Sequence, residues 1–316
     1  MKNKKQKAAG KSRQTTPASQ VHRELLPEQS TALLQELHLL TRDGQLNADS
    51  RRKLKQINHL ANLLTPDLER LFADDRDPLI LDAGAGNGYL GFVLYELWCQ
   101  PTGRGTVLNL EVRPDLVARA RERAELLGYE RMVYAQQAVA DLVPSADLDR
   151  PPVWQGRSVD AVVALHACDT ATDDAIELGI RAGAPVIAVV PCCQAEVARL
   201  LAGTAVHAPA GALWRHPIHR REFGANLTNV IRAHLLEAFG YQVTVTELTG
   251  WEHSLKNELI LARKVQRRNG LALKQLQQLL AGLPYLPMGL LQHLLGSPET
   301  RSADDPSPEP ESAADA

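Results

Sequence analysis

The stretch that most constrains this chain is Leu79-Ile80-Leu81-Asp82-Ala83-Gly84-Ala85-Gly86-Asn87-Gly88-Tyr89-Leu90-Gly91. An apolar run ends in an acid and alternating glycines, and a helical pattern begins at once. This is how a buried parallel strand passes to a helix through a loop whose backbone a ligand can approach. Glycines serve there because a Cβ would block both the tight turn and the ligand. The expectation is an α/β fold: a Rossmann-like, doubly wound, mostly parallel sheet.

Two ligand templates fit the glycines. The dinucleotide fingerprint G-x-G-x-x-G fits only from Gly86 to Gly91. The D-x-G-x-G-x-G pattern for S-adenosylmethionine (AdoMet) fits from Asp82 through Gly84, Ala85, Gly86 and Gly88. Glu111 ends the next strand-like run, Val107-Leu108-Asn109-Leu110-Glu111, where an acid accepts hydrogen bonds from both hydroxyls of a ribose. It predicts a ribosyl cofactor without naming it. Asp82 separates the two, since a carboxylate there suits the ammonium and sulfonium of AdoMet and repels a pyrophosphate. AdoMet is the cofactor this reading favours. Asp141, after a third strand near 132–135, is placed to reach the adenine amine.

The middle of the chain alternates strand and helix. Continuous apolar runs at 79–82, 106–111, 159–166 and 185–191 predict strands covered on both faces. Runs at 89–98, 114–127, 171–181, 193–201 and 221–239 predict helices. Residues 241–248 and 258–262 have only a loop between them and predict an antiparallel terminal hairpin. Upstream, Leu33, Leu34, Leu37 and Leu40, then Leu54, Ile57, Leu60, Leu63 and Leu64, fall at helical spacing. Asp49 or Ser50 is the expected cap of that second helix, with Pro66 just past its end. Residues 138–157 predict a loop, and 271–295 a helical cap. The divisions expected are an arm at 1–26, N-terminal helices at 27–70, the catalytic domain at 71–265, a helical extension at 266–296 and a tail at 297–316.

Charge excludes less than it suggests. The formal net charge is −2, so nothing draws the whole chain to nucleic acid or a membrane. The first thirteen residues nevertheless carry Lys2, Lys4, Lys5, Lys7, Lys11 and Arg13 with no acid, while the last eighteen are acidic and rich in Pro, Ser and Ala. Both ends read as disordered. No apolar run reaches spanning length and no leader is evident at the start, so no membrane partner is expected. Four cysteines make no disulfide framework in 316 residues, which predicts a reducing, cytoplasmic setting.

The motif Asp82-Ala83-Gly84-Ala85-Gly86-Asn87-Gly88 with Glu111 resembles motifs I and II of class I AdoMet-dependent methyltransferases. The segments Leu165-His166-Ala167-Cys168-Asp169-Thr170-Ala171-Thr172-Asp173 and Pro191-Cys192-Cys193 are similar to one methyltransferase-like branch, which includes the glutathione S-transferase C-terminal-domain-containing proteins. That branch often has Gly where this chain has Asp169. The resemblance covers roughly 51–264 and implies methyl transfer on the class I sheet.

Ligands of open α/β sheets bind beyond the carboxyl ends of the strands, so His166, Cys168, Asp169, Cys192 and Cys193 should face one crevice. Three roles stay open. His166 or Asp169 orients or deprotonates an acceptor; a cysteine attacks a pyrimidine, as a resemblance to cytosine-C5 RNA methyltransferases would imply; or His166 and the cysteines hold a metal, for which the spacing is poor, so none is assigned. Small buried hydrophobes would use cysteine equally well. RNA is the first candidate acceptor, from the basic arm, the 51–55 strip and Arg220-Arg221. The 251–257 loop, with Trp251, His253, Lys256 and Asn257, suits a flat acceptor. The alternatives are a protein or small-molecule acceptor, or an AdoMet-binding module without catalysis; the oligomeric state is open.

Overall fold

The computed structural model describes residues 15–16, 21–142, 150–165, 167–192, 194–202, 204, 209–248, 258–284 and 286–296. The basic arm up to Arg13, the acidic tail, the 251–257 loop, His166 and Cys193 lie outside them.

The chain opens with a small antiparallel pair, Thr15–Thr16 (β1) with Leu46–Asn47 (β2), and a short helix Thr31–Glu36 (α1). A long helix follows at Ala48–Leu71 (α2). Then come β3 (Leu79–Ala83), α3 (Tyr89–Leu94, continued by a π-helical turn at Tyr95–Cys99), β4 (Thr106–Glu111), α4 (Pro114–Leu127), β5 (Met132–Gln136) and α5 (Val139–Leu142). The second half is β6 (Ala161–Leu165), α6 (Thr170–Ala182), β7 (Val186–Val190), α7 (Glu196–Ala202), α8 (Pro217–Ala238), β8 (Tyr241–Glu247), β9 (Glu258–Lys264), α9 (Gly270–Ala281) and α10 (Gly289–Leu295).

Seven strands form the main sheet in the order β5-β4-β3-β6-β7-β9-β8. Strands β3 to β7 are parallel; β9 runs antiparallel to β7, and β8 antiparallel to β9. This is the doubly wound sheet with a reversed terminal hairpin that the apolar runs predict. The order reverses at β3, whose neighbours are β4 and β6, so the ligand crevice lies beyond Ala83.

The continuous apolar strands divide their side chains between two cores. Ile80 and Val107 face α2, α3 and α4, whereas Leu79, Leu81, Leu108 and Leu110 face α5, α6 and α8. Strand β8 is mostly exposed, and its Gln, Thr and Glu side chains suit an edge.

Three boundaries depart from the sequence reading. The cap of α2 is Asn47, whose side chain accepts from Ser50 N at 2.9 Å, not Asp49 or Ser50. Pro66 lies inside α2 rather than beyond it, because Leu64, Leu68 and Leu71 keep the last turns buried. Helix α8 begins at Pro217 rather than near residue 221, so Arg220 and Arg221 lie in its first turns, with Pro217 at the helix start. The expected loop at 138–157 contains α5, and the C-terminal cap is the pair α9 and α10.

Gly91 explains how close α3 sits to the sheet. A Cβ there would fall 2.3 Å from Asn109 Oδ1 and 3.0 Å from Asp82 Oδ2, both on buried side chains. Gly91→Ala gains helix propensity worth about 1 kcal/mol. It is still expected to lower stability by about 1–3 kcal/mol, since the helix must lift off the strands. Urea unfolding of the variant checks this; a stability equal to wild type contradicts the close approach.

Candidate active site

The candidate site lies at the carboxyl ends of β3, β4, β6 and β7, where an open, mostly parallel sheet receives its ligands. After β3 the chain turns through Gly84, Gly86 and Gly88 at φ of 68°, 60° and 74°, a region that L side chains rarely enter. Gly88 then caps α3. Ala85 N donates to Leu110 O at 3.0 Å, which ties the loop to the end of β4.

Glu111 closes β4 beneath this loop. Its Oε2 accepts from Gly86 N at 2.9 Å, and its Oε1 accepts from Arg113 N and Arg113 Nε, each at 3.0 Å. The carboxylate is 6% exposed while the Arg113 side chain is 60% exposed. Burial raises the pKa of Glu111, but Arg113's hydrogen bonds and charge, with the Gly86 N–H, more than offset this and hold it below the ordinary value. The sequence reading missed Arg113. Its one signal was position, two residues past an expected ribose ligand and opening α4.

Asp82 behaves otherwise than the charge argument assumed. It is 2% exposed, and its Oδ2 accepts from Gly91 N at 3.1 Å, so the carboxylate points under the loop into α3 and not into the crevice. Asn109 is its register partner on β4, and Tyr134 is that of Asn109 on β5. Burial pushes the Asp82 carboxyl up to about 7; the Gly91 N–H opposes this and Glu111's charge adds to it. A carboxyl raised in the folded state binds its proton more tightly there than in the unfolded chain. Its contribution is therefore fully present at low pH and is lost as pH climbs from about 4 to about 7. The Asp82→Asn variant does not titrate, so its stability relative to wild type is expected to improve between pH 5 and pH 8. Denaturant midpoints of both proteins across that range test the sign; a constant difference would refute it.

Asp141 is exposed on the single turn of α5, which packs against α6, and its charge is felt by Asp174 on that helix.

Past β6, Ala167 adjoins the glycine loop, with its Cβ 3.7 Å from where a Cβ on Gly84 would stand. Asp169 follows at φ 52°, an unusual conformation at a position where the resembling branch often has Gly. Its side chain compensates. Asp169 Oδ1 accepts from Ala195 N at 2.8 Å and Glu196 N at 3.2 Å, and Oδ2 pairs with Arg199 Nη2 at 2.8 Å. Burial raises the Asp169 pKa, but these backbone donors and Arg199 outweigh it and hold the carboxyl below its usual range. A carboxylate so satisfied suits clamping two loops better than accepting a proton.

The same turn rests on Arg232, a fully buried guanidinium on α8. Its Nε and Nη2 reach Asp173 Oδ1 and Oδ2 at 2.8 and 3.0 Å, and Nη2 also donates to Asp169 O at 2.9 Å. Nη1 donates to Asn229 Oδ1 at 3.0 Å, and Asn229 in turn reaches Glu258 on β9. Cys168 and Cys192, after β6 and β7, bring their Sγ atoms to 3.1 Å. The structure thus unites Cys168, Asp169 and Cys192 with the loop of Gly84 and Gly86, across β3 from Glu111.

The family described as a methyltransferase domain matches residues 52–200, from the second turn of α2 into α7. Those residues are a methyltransferase domain. Its strand order and glycine loop give the Rossmann-like, mostly parallel sheet with a reversed terminal hairpin that the class I resemblance implies. Relatives of the methyltransferase domain include glutathione S-transferase C-terminal domain-containing proteins. That of Xenopus laevis is 30% identical over 48% of this chain and 21% of its own length. That of Bos taurus is 24% identical over 70% of this chain and 34% of its own. The chain thus spans between a fifth and a third of the relatives it matches. Among solved structures, a Podospora anserina methyltransferase bound to S-adenosylhomocysteine is 15% identical at a TM-score of 0.44, covering 78% of this chain and 94% of that one. An rRNA methylase from Streptococcus thermophilus is 15% identical at a TM-score of 0.41, covering 65% and 96%.

The residues of the domain fit AdoMet. Glu111 presents a buried carboxylate to the edge of a loop whose alternating glycines leave its backbone bare, which suits a ribose beside an amino-acid moiety. Among the described residues, no helix is long and apolar enough to cross a membrane.

Proposed function

We propose that this chain transfers the methyl group of AdoMet to RNA. The observation that carries the reading is Glu111, drawn onto Gly86 N at the point where the strand order reverses. AdoMet, when bound, supplies a methyl group activated by its sulfonium. The backbone of Gly84, Ala85, Gly86 and Gly88 receives the amino-acid moiety, and Glu111 accepts from the ribose hydroxyls once Arg113 swings aside. Asp82 supports the loop from beneath through Gly91, and Asp141 addresses the adenine.

Methyl transfer is an in-line displacement, so orientation of the acceptor supplies most of the rate. In this reading Cys168 lines the crevice, Asp169 positions the turn that carries it, and His166 orients the acceptor or removes its proton. The cysteine usage supports work in a reducing cytoplasm.

RNA is favoured over a protein or small molecule by the placement of the basic strip. The Nζ of Lys53 lies 5.7 Å above the ring of Tyr89, the first residue of α3 after the glycine loop, and Arg52 and Lys55 are exposed on the same turn. Positive charge beside Tyr89, next to the glycine loop, supports an acceptor that carries a phosphate backbone.

Calorimetry with AdoMet, followed by tritiated-methyl transfer to total RNA and total protein, tests the reading. Label is expected in RNA. A Lys53→Glu, Lys55→Glu variant should weaken RNA binding and flatten its salt dependence by about one unit of slope for each phosphate that is no longer neutralised. Label in protein alone would replace the acceptor, and no AdoMet binding would remove the reading.

A further inference from the structure

Methyl transfer as proposed gives Cys168 and Cys192 no joint task, yet the fold brings them together. They come from different loops, after β6 and after β7, and their Sγ atoms stand 3.1 Å apart. Cys168 is exposed and Cys192 half-buried. Closing this gap to a disulfide bond of about 2.05 Å asks for a shift of about 1 Å.

The supporting structure holds the approach. Asp169, next to Cys168, takes hydrogen bonds from Ala195, in the loop that carries Cys192, and from Glu196, which opens α7. Arg232 fixes the carbonyl of Asp169, and Thr172 Oγ1 donates to Ala167 O at 2.6 Å. Both loops are therefore tied beside the thiols, with the two sulfurs 3.1 Å apart. Cys99 offers the contrast. It is buried, and burial pushes its thiol up to about 12, so it stays outside such exchange.

We infer that Cys168 and Cys192 are a redox-modification site that closes reversibly to a disulfide across the crevice, by exchange with a low-molecular-weight disulfide such as oxidised glutathione. The thiolate of one cysteine attacks a sulfur of the small disulfide, forming a mixed disulfide and releasing one small thiol. The thiolate of the other then attacks the protein sulfur of that mixed disulfide and expels the second small thiol. Two protein thiols are oxidised, one small disulfide is reduced to two thiols, and the two protons from the cysteines end on those thiols. The bridge lies beside the end of the crevice where β6 and β7 finish, one strand beyond β3 and away from Glu111. Oxidation therefore closes the acceptor side and leaves the ribose side open. Formation of the bridge is independent of the proposed function; its effect on turnover rests on that reading.

The test uses the full chain with Cys193→Ser, so that only Cys192 remains in the tryptic peptide 182–199, and a series of ratios of oxidised to reduced glutathione. Before alkylation the intact oxidised chain is expected to be lighter by about two daltons and restored by excess dithiol; after alkylation and digestion, mass spectrometry is expected to show peptide 158–181 joined to 182–199. In the oxidised chain AdoMet affinity should stay within about twofold, while methyl incorporation falls at least about tenfold. Cys168→Ser must abolish the linked peptide. Persistent glutathione adducts without the linked peptide, or no oxidation at all, would overturn the site. A linked peptide with undiminished methyl transfer would overturn the closure. A linked peptide in a chain that methylates nothing even when reduced supports the redox site and removes the methyltransferase reading instead.

Discussion

Replacing Arg232 with methionine is expected to cost about 3–5 kcal/mol of stability, because it leaves the Asp173 carboxylate buried without its partner. Arg232 has no exposed surface, and Asp173 is 4% exposed. Burial already raises the Asp173 pKa against the pull of Arg232, so loss of the guanidinium lets the carboxyl keep its proton. The deficit should therefore shrink as pH falls, since the proton then costs less to acquire. Arg232→Lys keeps the charge but not the fork that serves Asp173, Asn229 and the carbonyl of Asp169 together, and should recover only part of the loss. A double variant with Asp173→Leu should be less unstable than Arg232→Met alone. Guanidinium unfolding at pH 5 and pH 8 measures all three. A loss below about 1 kcal/mol for Arg232→Met would mean that the pair does not organise this part of the fold.

Glu111→Ala is expected to weaken AdoMet binding about 100-fold. Two hydrogen bonds from ribose hydroxyls to a charged acceptor, at about 1.5–3 kcal/mol each less the water regained, are worth roughly 3 kcal/mol. Every 1.4 kcal/mol is a factor of ten in the dissociation constant. Glu111→Gln retains one acceptor oxygen and should lose about tenfold. The glycine loop complicates the alanine variant, because Gly86 N loses its partner as well. The glutamine variant keeps that bond, so the two together separate ribose contact from loop order. Calorimetry is the measurement. Unchanged affinity in both variants would mean that Glu111 serves the loop and never the ligand.

These effects differ in how far the sequence foretold them. Glu111 was readable because its role follows from one local rule, an acid at the end of the strand after a glycine loop. The four central strands were readable for a similar reason, being short apolar runs set between helical periodicities. Asn47 was not singled out as the cap of α2, since Asn47, Asp49 and Ser50 are all competent and only the geometry of the turn chooses among them. Pro66 suggested a helix end, but tertiary burial of the following turn overrode it. The Arg232–Asp173 pair was invisible because its members stand 59 residues apart and each resembles an ordinary charge on a helix. The two roles of Asp169 were hidden as well. Nothing local to it announces that its carboxylate caps a loop 26 residues away.

Helix α2 carries a consequence for how the molecule can be divided. Arg263 on β9 grips Asp67 of α2 with two nitrogens, Nε at 2.8 Å and Nη2 at 2.9 Å, across 196 residues of sequence. Leu54, Ile57, Leu60, Leu64 and Leu68 of α2 share one apolar cluster with Ile80, Val107 and Leu261 of the sheet. A fragment cut at residue 70 would leave that face of the sheet bare to water. A fragment limited to residues 52–200 would also strip β9 from β7 and leave a hydrophobic strand with an open row of hydrogen-bonding groups. Either piece would be expected to self-associate rather than stand alone. The smallest unit expected to stand alone therefore reaches back through α2 and forward through the terminal hairpin.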